Sequence, residues 1–582
     1  MSDRPAIPPV MMADLTEAAP KRLVRKLDKN PSLAEDWAWD VGSDRVRVTT
    51  ANGQVVGLQV ADGVVAAVEC SCLLAPRCLH VLAVASLLDV AEGSAPVEDA
   101  DEPEAAVEVE EAVVVSDGQR RSLERVWSVA CRVLDAGALG ADTVLRGDLL
   151  RAVHGCRTEG CHRVAAAGRR VARQLQDLRS ERPEFSIGGL SSDLLEMLAT
   201  THRLLGSEEA SVVDLGVARR RYRTLGSLRV HGLFTEPVVT RSGYAGVVTW
   251  SVDDQGRCWS RQDLRPGAVD RVVGAYASGV GVGDVVLSHQ GLCRAGMLLH
   301  GATGSADGRL GAGQGVRAVA SGPSSWADAP LAALWEPELE DQLDRVFGAL
   351  KVPSSHRRGG WNLLFLRARV LGVAGPALWL AEASGRRLRA VPGSDRAELP
   401  WRDNLRVLGA ASGASVQVVA RVHPSEPGTV TLLALASEDL AMPAVFEGLC
   451  NMGIDRLTRS AVPAKPSESA PVTLAPRPRD PIYPTRRRVQ RVAMGGRATL
   501  TVGAAEEGLR EAAGLERRFM PVGGAVLRAL FDAGLAAGRS ATGERRDGDP
   551  DQLARAWLAA AVWARAAERQ LARETWLQAP AG

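Results

Sequence analysis

The sequence predicts an α+β, multi-domain fold, and three observations carry that prediction. Short strands cut by Asn52-Gly53 and Asp62-Gly63 form a β-meander near the N-terminus. Apolar residues recur at three- and four-residue steps over 118–210 and again over 496–582, the spacing of helices with one buried face. Between them, from 211 to 450, strand-like runs such as GVVTWSV, WNLLFLRARVLGV and TVTLLALA alternate with turn signals, as in a barrel or sandwich. A chain of 582 residues has room for roughly four domains, and 46% hydrophobic residues suffice for several cores.

Residues 1–30 read as a short amphipathic helix, with Leu15, Leu23 and Leu27 on one face and Lys21, Arg22, Arg25, Lys26 and Lys29 around it. The meander follows in a 31–90 module: RVRVTT, QVVGLQV and VVAAVE, joined by dipeptides that supply the positive φ of tight hairpins. Residues 91–117 hold ten acidic residues and no Lys or Arg, the composition of a solvated linker. A helical domain is expected over 118–210 and a β-rich region over 211–450, with the helical insertion DAPLAALWEPELEDQLDRVFGAL. Within that region, residues 361–437 resemble a small OB-type barrel. A Pro/Arg-rich linker is expected over 451–495 and a helical domain over 496–582.

Charge limits the function classes. With 70 Lys+Arg against 69 Asp+Glu, the chain is no uniformly basic nucleic-acid coat, although local patches remain open. Only five of the basic residues are lysine, which reads as G+C-rich bacterial codon usage and dilutes the meaning of any single arginine. No signal peptide or membrane-length apolar run is visible, so a cytoplasmic protein without membrane contact is expected. Nine cysteines in such a chain suggest thiols or metal ligands rather than a disulfide framework.

One constellation carries chemistry. Cys70, Cys72, Cys78 and His80 have the spacing C-x-C-x5-C-x-H. Zinc takes four soft or borderline ligands in a tetrahedron, with Zn–S near about 2.3 Å, so its thiolates sit about 3.8 Å apart. Two cysteines two apart at a strand end can aim both sulfurs one way. Leu73–Arg77 form the return loop, and Cys78 and His80 open the next helix, HVLAVASLL. Four protein ligands leave no open position, the pattern of one structural zinc ion. The other reading is three small buried thiols and an ordinary surface histidine.

This motif, set after a β-meander and before a helix, resembles the SWIM zinc finger, and CSCLLAPRCLH resembles bacterial stand-alone SWIM-type proteins. The likeness covers about residues 35–90. It implies binding to DNA or to a protein partner, with a separate ATPase among the partners such modules accompany.

Other candidates are weaker. His154, Cys156, Cys161 and His162 form a second ligand-rich cluster. On one continuous helix His154 and Cys161 lie about 10.5 Å apart along the axis, too far for one zinc; Gly155 and Gly160 could break that helix. Candidate nucleic-acid contacts are Arg77 beside the third cysteine and Arg219, Arg220, Arg221, Tyr222 and Arg223, arginines interleaved with an aromatic. Each patch also reads as a solvated face. Arg486, Arg487, Arg488 and Arg491 form another basic run. There is no P-loop, H-E-x-x-H, nucleophile elbow or kinase signature, so a non-enzyme is expected. Nucleic-acid binding and a protein–protein scaffold remain as competing readings, with an enzyme of unrecognised type third.

Overall fold

The computed structural model describes residues 4–5, 7, 11, 15, 23, 33–42, 44–61, 63–72, 75, 78–88, 112–218, 222–240, 243–282, 285–311, 316–462, 480–539, 545–546 and 548–578. The chain divides into two compact units, Met1–Val109 and Glu110–Gly582. The helix expected over 1–30 and the acidic 91–117 segment fall mostly outside the described residues; Met11, Leu15 and Leu23 are helical.

The first unit is an antiparallel four-stranded meander: β1 (Ala38–Val41), β2 (Arg45–Thr49), β3 (Val55–Ala61) and β4 (Val64–Cys70), each paired with the next. Alternation does the sorting. Val46 and Val48 of β2 and Val56 and Leu58 of β3 are buried, while Arg45 and Arg47 face outward. Gly53 and Gly63, both at φ +76°, turn the two hairpins. The meander has one strand more than expected, because β1 (AWDV) lacks alternation. Helix α1 (Leu79–Ala85) lays Val81, Ala83, Val84 and Ala85 into the same core as the sheet valines.

The second unit begins with four helices: α2 (Asp117–Gly140), α3 (Thr143–Thr158), α4 (His162–Arg179) and α5 (Ile187–Leu205). Ser116 and Gln119 form a reciprocal capping box at the start of α2, and Asp142 caps α3. The β-rich part then opens with β5 (Tyr222–Thr224), β6 (Ser227–Val239), β7 (Tyr244–Asp253), β8 (Cys258–Pro266), β9 (Ala295–His300), β10 (Thr303–Ser305) and β11 (Arg317–Pro323). These give an antiparallel sheet ordered β8-β7-β6-β9-β11 and a small β5–β10 ladder.

After α6 (Leu339–Ala349) come β12 (Leu363–Ala374), β13 (Ala377–Glu382), β14 (Arg387–Val391), α7 (Trp401–Gly409), β15 (Ser415–Val422), β16 (Thr429–Ala436) and β17 (Cys450–Asn451). Antiparallel ladders run β14-β13-β12-β15-β16-β17, and β14 also pairs in parallel with β16, from Arg389–Thr429 to Val391–Thr431. The first five of these strands therefore close into a barrel, with a helix between the third and fourth. Closure removes the exposed strand edges. The barrel and the open sheet share one core, in which Phe234, Trp326 and Trp335 are buried together with Val416, Val418 and Val419 of β15.

The last helices are α8 (Tyr483–Gly495), α9 (Val502–Glu516), α10 (Pro521–Leu535) and α11 (Pro550–Gln578). Their apolar residues join those of α2–α5 in a single core that includes Leu123, Leu134, Met197, Val492, Phe531 and Trp557. The two helical stretches read as separate domains thus pack as one bundle. The linker expected over 451–495 also needs correction. Met452, Asp455 and Leu457 are buried, and 483–495 is the helix α8, burying Val489 and Val492. Only residues 463–479 of that span lie outside the described residues.

Candidate metal centre

The ligand atoms of Cys70, Cys72, Cys78 and His80 all lie within 4.8 Å of one another. Each is positioned by local structure. Cys70 is the last residue of β4 and sits opposite Val56 of β3. The strand continues one residue further, because Ser71 donates its amide to the Val55 carbonyl and its Oγ accepts from the Val55 amide at 2.9 Å. That two-point attachment fixes the bend that brings Cys72 back toward Cys70. Cys78 caps α1, its Sγ accepting from the Val81 amide at 3.5 Å. His80, in the first turn of α1, places Nδ1 4.0 Å from Cys70 Sγ, and its ring lies 5.9 Å from that of Trp37.

The donor chemistry fits a divalent cation. Burial pushes the Cys70 thiol up to about 12, with the neighbouring thiols adding to the shift, and burial raises Cys78 as well. Thiols such as Cys70 and Cys78 that resist ionisation are poorly placed without a cation, and a bound cation reverses that logic. Burial lowers the His80 imidazole below its ordinary value, which favours the neutral form a metal needs. Donor atoms that all lie within 4.8 Å of one another are on the scale of a zinc tetrahedron, whose sulfurs sit about 3.8 Å apart. A Cys3His group of this kind can hold a metal ion with protein ligands alone.

The second cluster does not converge. Among the described residues, the Cys70 group is the only set of three or more such side chains close enough to share an ion. The reason is a helix terminator. The Cys161 amide donates to the Cys156 carbonyl at 2.8 Å and the Gly160 amide to that of Arg157 at 3.3 Å, with Gly160 at φ +81°. This glycine-terminated end brings Cys156 and Cys161 together as its buried apolar contact. Their mutual hydrogen bond lowers the Cys156 thiol and raises that of Cys161. His154 remains exposed on α3.

The arginine candidates divide. Arg77 and Arg219–Arg221 lie outside the described residues. Tyr222 and Arg223 are exposed on β5. In the other basic run, Arg488 is buried and pairs with Glu507 and with Glu511 at 2.9 Å, while Arg486 pairs with Asp480 and Glu568. Those two therefore hold helices together. Sequence reading missed one surface: on the outer side of the barrel, Trp379 of β13 stands opposite Arg389 of β14, which also pairs with Glu426 at 2.9 Å, and Ala381 stands opposite Arg387. Leu378 and Leu380 between them are buried inward, and this alternation was the available signal.

Among the described residues no helix is long and apolar enough to cross a membrane. The fold and the site thus define a mixed α/β chain with a candidate Cys3His metal centre. Compared with protein-family profiles, curated proteins and solved structures, the chain matches none.

Proposed function

We propose that this is a non-enzymatic, zinc-dependent nucleic-acid-binding protein whose first unit is a SWIM-type finger. The convergence of Cys70, Cys72, Cys78 and His80 at a hairpin-to-helix junction carries the reading. Zinc held there has four protein ligands and acts as a structural cross-link between β4 and α1. DNA is favoured as partner by the arginine-rich segment around Tyr222. A second support is the Trp379–Arg389 pair on the barrel face that OB-type barrels use for oligonucleotides. The chain carries no nucleotide-hydrolysis motif, so any motor it works with is a separate ATPase.

The test is elemental analysis followed by titration with labelled single- and double-stranded DNA. About one zinc per chain is expected, with affinity falling at least about tenfold between 50 and 200 mM salt. Cys70→Ser should lose the zinc and weaken DNA binding while leaving the second unit folded. A zinc-loaded protein that ignores DNA at low salt would refute this function. It would favour a protein–protein scaffold, a reading supported by Phe519, 94% exposed at φ +60° beside exposed Val522.

A further inference from the structure

The second unit contains a cleft unrelated to the metal centre. It has a volume of about 380 Å³ and is lined by Tyr222, Ser260, Arg261, Gln262, Thr303 and Arg309. The walls come from β8 on one side and the β5–β10 ladder on the other, joined by the bridge between Ser260 and Arg309. A recess of about 20 Å³, space for about one water, shares Arg261 with the cleft and is lined by Thr249 and Ser251 and by apolar residues such as Leu292, Met297 and Leu299. The outer volume is at the small end of the range for small-molecule sites.

The lining is polar and its charge is uncompensated at one point. Arg261 holds a buried Nε with no hydrogen-bond partner, and its NH1 reaches only the Leu310 carbonyl at 3.5 Å. Its strand neighbour Asp263 offers little, because that carboxylate is taken by Arg265 at 3.0 Å and by Arg271 at 3.1 Å to both oxygens. Burial accordingly lowers the Arg261 guanidinium below its ordinary value. Behind Thr249, and outside the lining of the cleft, fully buried His289 bonds the Thr249 hydroxyl at 2.7 Å through Nδ1. Unpartnered buried donors are costly, and they are found where a ligand or water completes them.

The remaining wall is aromatic. Tyr222 is 47% exposed, close enough to Arg261 to interact with it electrostatically. Gly311 keeps the backbone against this ring: a Cβ there would lie 2.2 Å from Thr303 Oγ1 and 3.2 Å from Tyr222 Cδ1. Arg309, paired with Asp307 at 3.6 Å, supplies the second guanidinium of the cleft. A planar guanidinium pairs best with a phosphate or carboxylate, and the hydroxyls of Ser260 and Thr303 can donate to the same oxygens. An open tyrosine face suits a planar ring.

We propose that this cleft binds a nucleoside monophosphate, with the phosphate at Arg261 and Arg309 and the base against Tyr222. The full-length protein would be titrated calorimetrically with AMP, adenosine and inorganic phosphate. Saturable AMP binding is expected, with adenosine and phosphate each at least about tenfold weaker. Arg261→Met should weaken AMP about tenfold or more. Tyr222→Ala, a surface change, should weaken AMP while leaving phosphate affinity unchanged. Cys70→Ser should bind AMP as the wild type does, which separates this site from the finger. No saturable AMP binding up to about 10 mM would overturn the proposal. So would equal affinity for AMP and phosphate, or unchanged AMP affinity in folded Tyr222→Ala.

Discussion

Arg294 shows how a single side chain can join two sheets. Only 5% exposed, it donates to the carbonyls of Phe446 and Leu449 at 2.9 Å, to Tyr276 Oη at 2.9 Å and to Asp455 at 3.3 Å. Asn451 completes the set, donating to the Asp455 carboxylate and to Tyr276. Removing one partner of a buried ion pair strands the other. Arg294→Met should therefore cost about 3–5 kcal/mol in urea unfolding, and a loss below about 1 kcal/mol would show the network to be dispensable. His289 gives the second prediction at this scale. Burial lowers it to about 4 from 6.5, with Arg261 also lowering it and Asp263 opposing. The unfolded chain then takes the proton first as pH falls. The contribution is complete above about pH 6.5 and is lost toward pH 4, on the order of 3 kcal/mol. His289→Gln should flatten that part of the stability profile relative to the wild type. Parallel profiles would mean that His289 is not held neutral.

Among the elements, the sharpest constraint is a close crossing of two glycines. Helix α2 is broken at Gly137, φ +70°, where a Cβ would sit 2.1 Å from the Gly496 amide nitrogen. Gly496, at φ +63°, meets the Asp135 carbonyl equally closely, and Arg497 ties down Asp135 at 2.6 Å. Gly137→Ala combines a disfavoured backbone with a backbone clash. It should destabilise the bundle by at least about 2 kcal/mol, whereas Gly155→Ala, in open space within α3, should stabilise by about 0.5–1 kcal/mol. A neutral Gly137→Ala in thermal unfolding would show that this crossing relaxes. The same two glycines mark where sequence reading ended. Local patterns revealed the hairpins at Gly53 and Gly63, the Cys3His spacing and the barrel strands, because each is written in neighbours a few residues apart. The Arg497–Asp135 contact that pins this crossing joins positions 362 apart, beyond the reach of any periodicity. Helix α8 was obscured differently: Pro484, its run of arginines and the Pro-rich segment before it look like linker composition, although Val489 and Val492 keep the helical step. The cleft beside β8 needs Arg261, Arg309 and Tyr222 to meet from three strands or loops, and no one segment announces it.

Over the whole molecule, the two units stand on different physical footings. In the second, the 29-residue α11 is about 44 Å long and serves both cores: Leu553, Trp557 and Ala561 lie in the bundle, and Ala572 and Trp576 in the β core. Arg573 adds a 2.9 Å bond to Asp344 of α6. Bundle and sheets should therefore unfold together. The first unit has only a small core of its own, Val46, Val48, Val56, Leu58, Val65, Val81 and Val84 with a few neighbours. Such a unit is marginal by burial alone, and a metal linking β4 to α1 would supply what the core lacks. Calorimetry of the zinc-loaded chain should accordingly show a small and a large transition. A chelator should abolish or lower the small one and leave the large one in place, and restoring zinc should bring it back. If the chelator moved both transitions equally, the two units would be one cooperative block. If it moved neither while removing the zinc, the meander would fold on its valines alone and the metal would have another role.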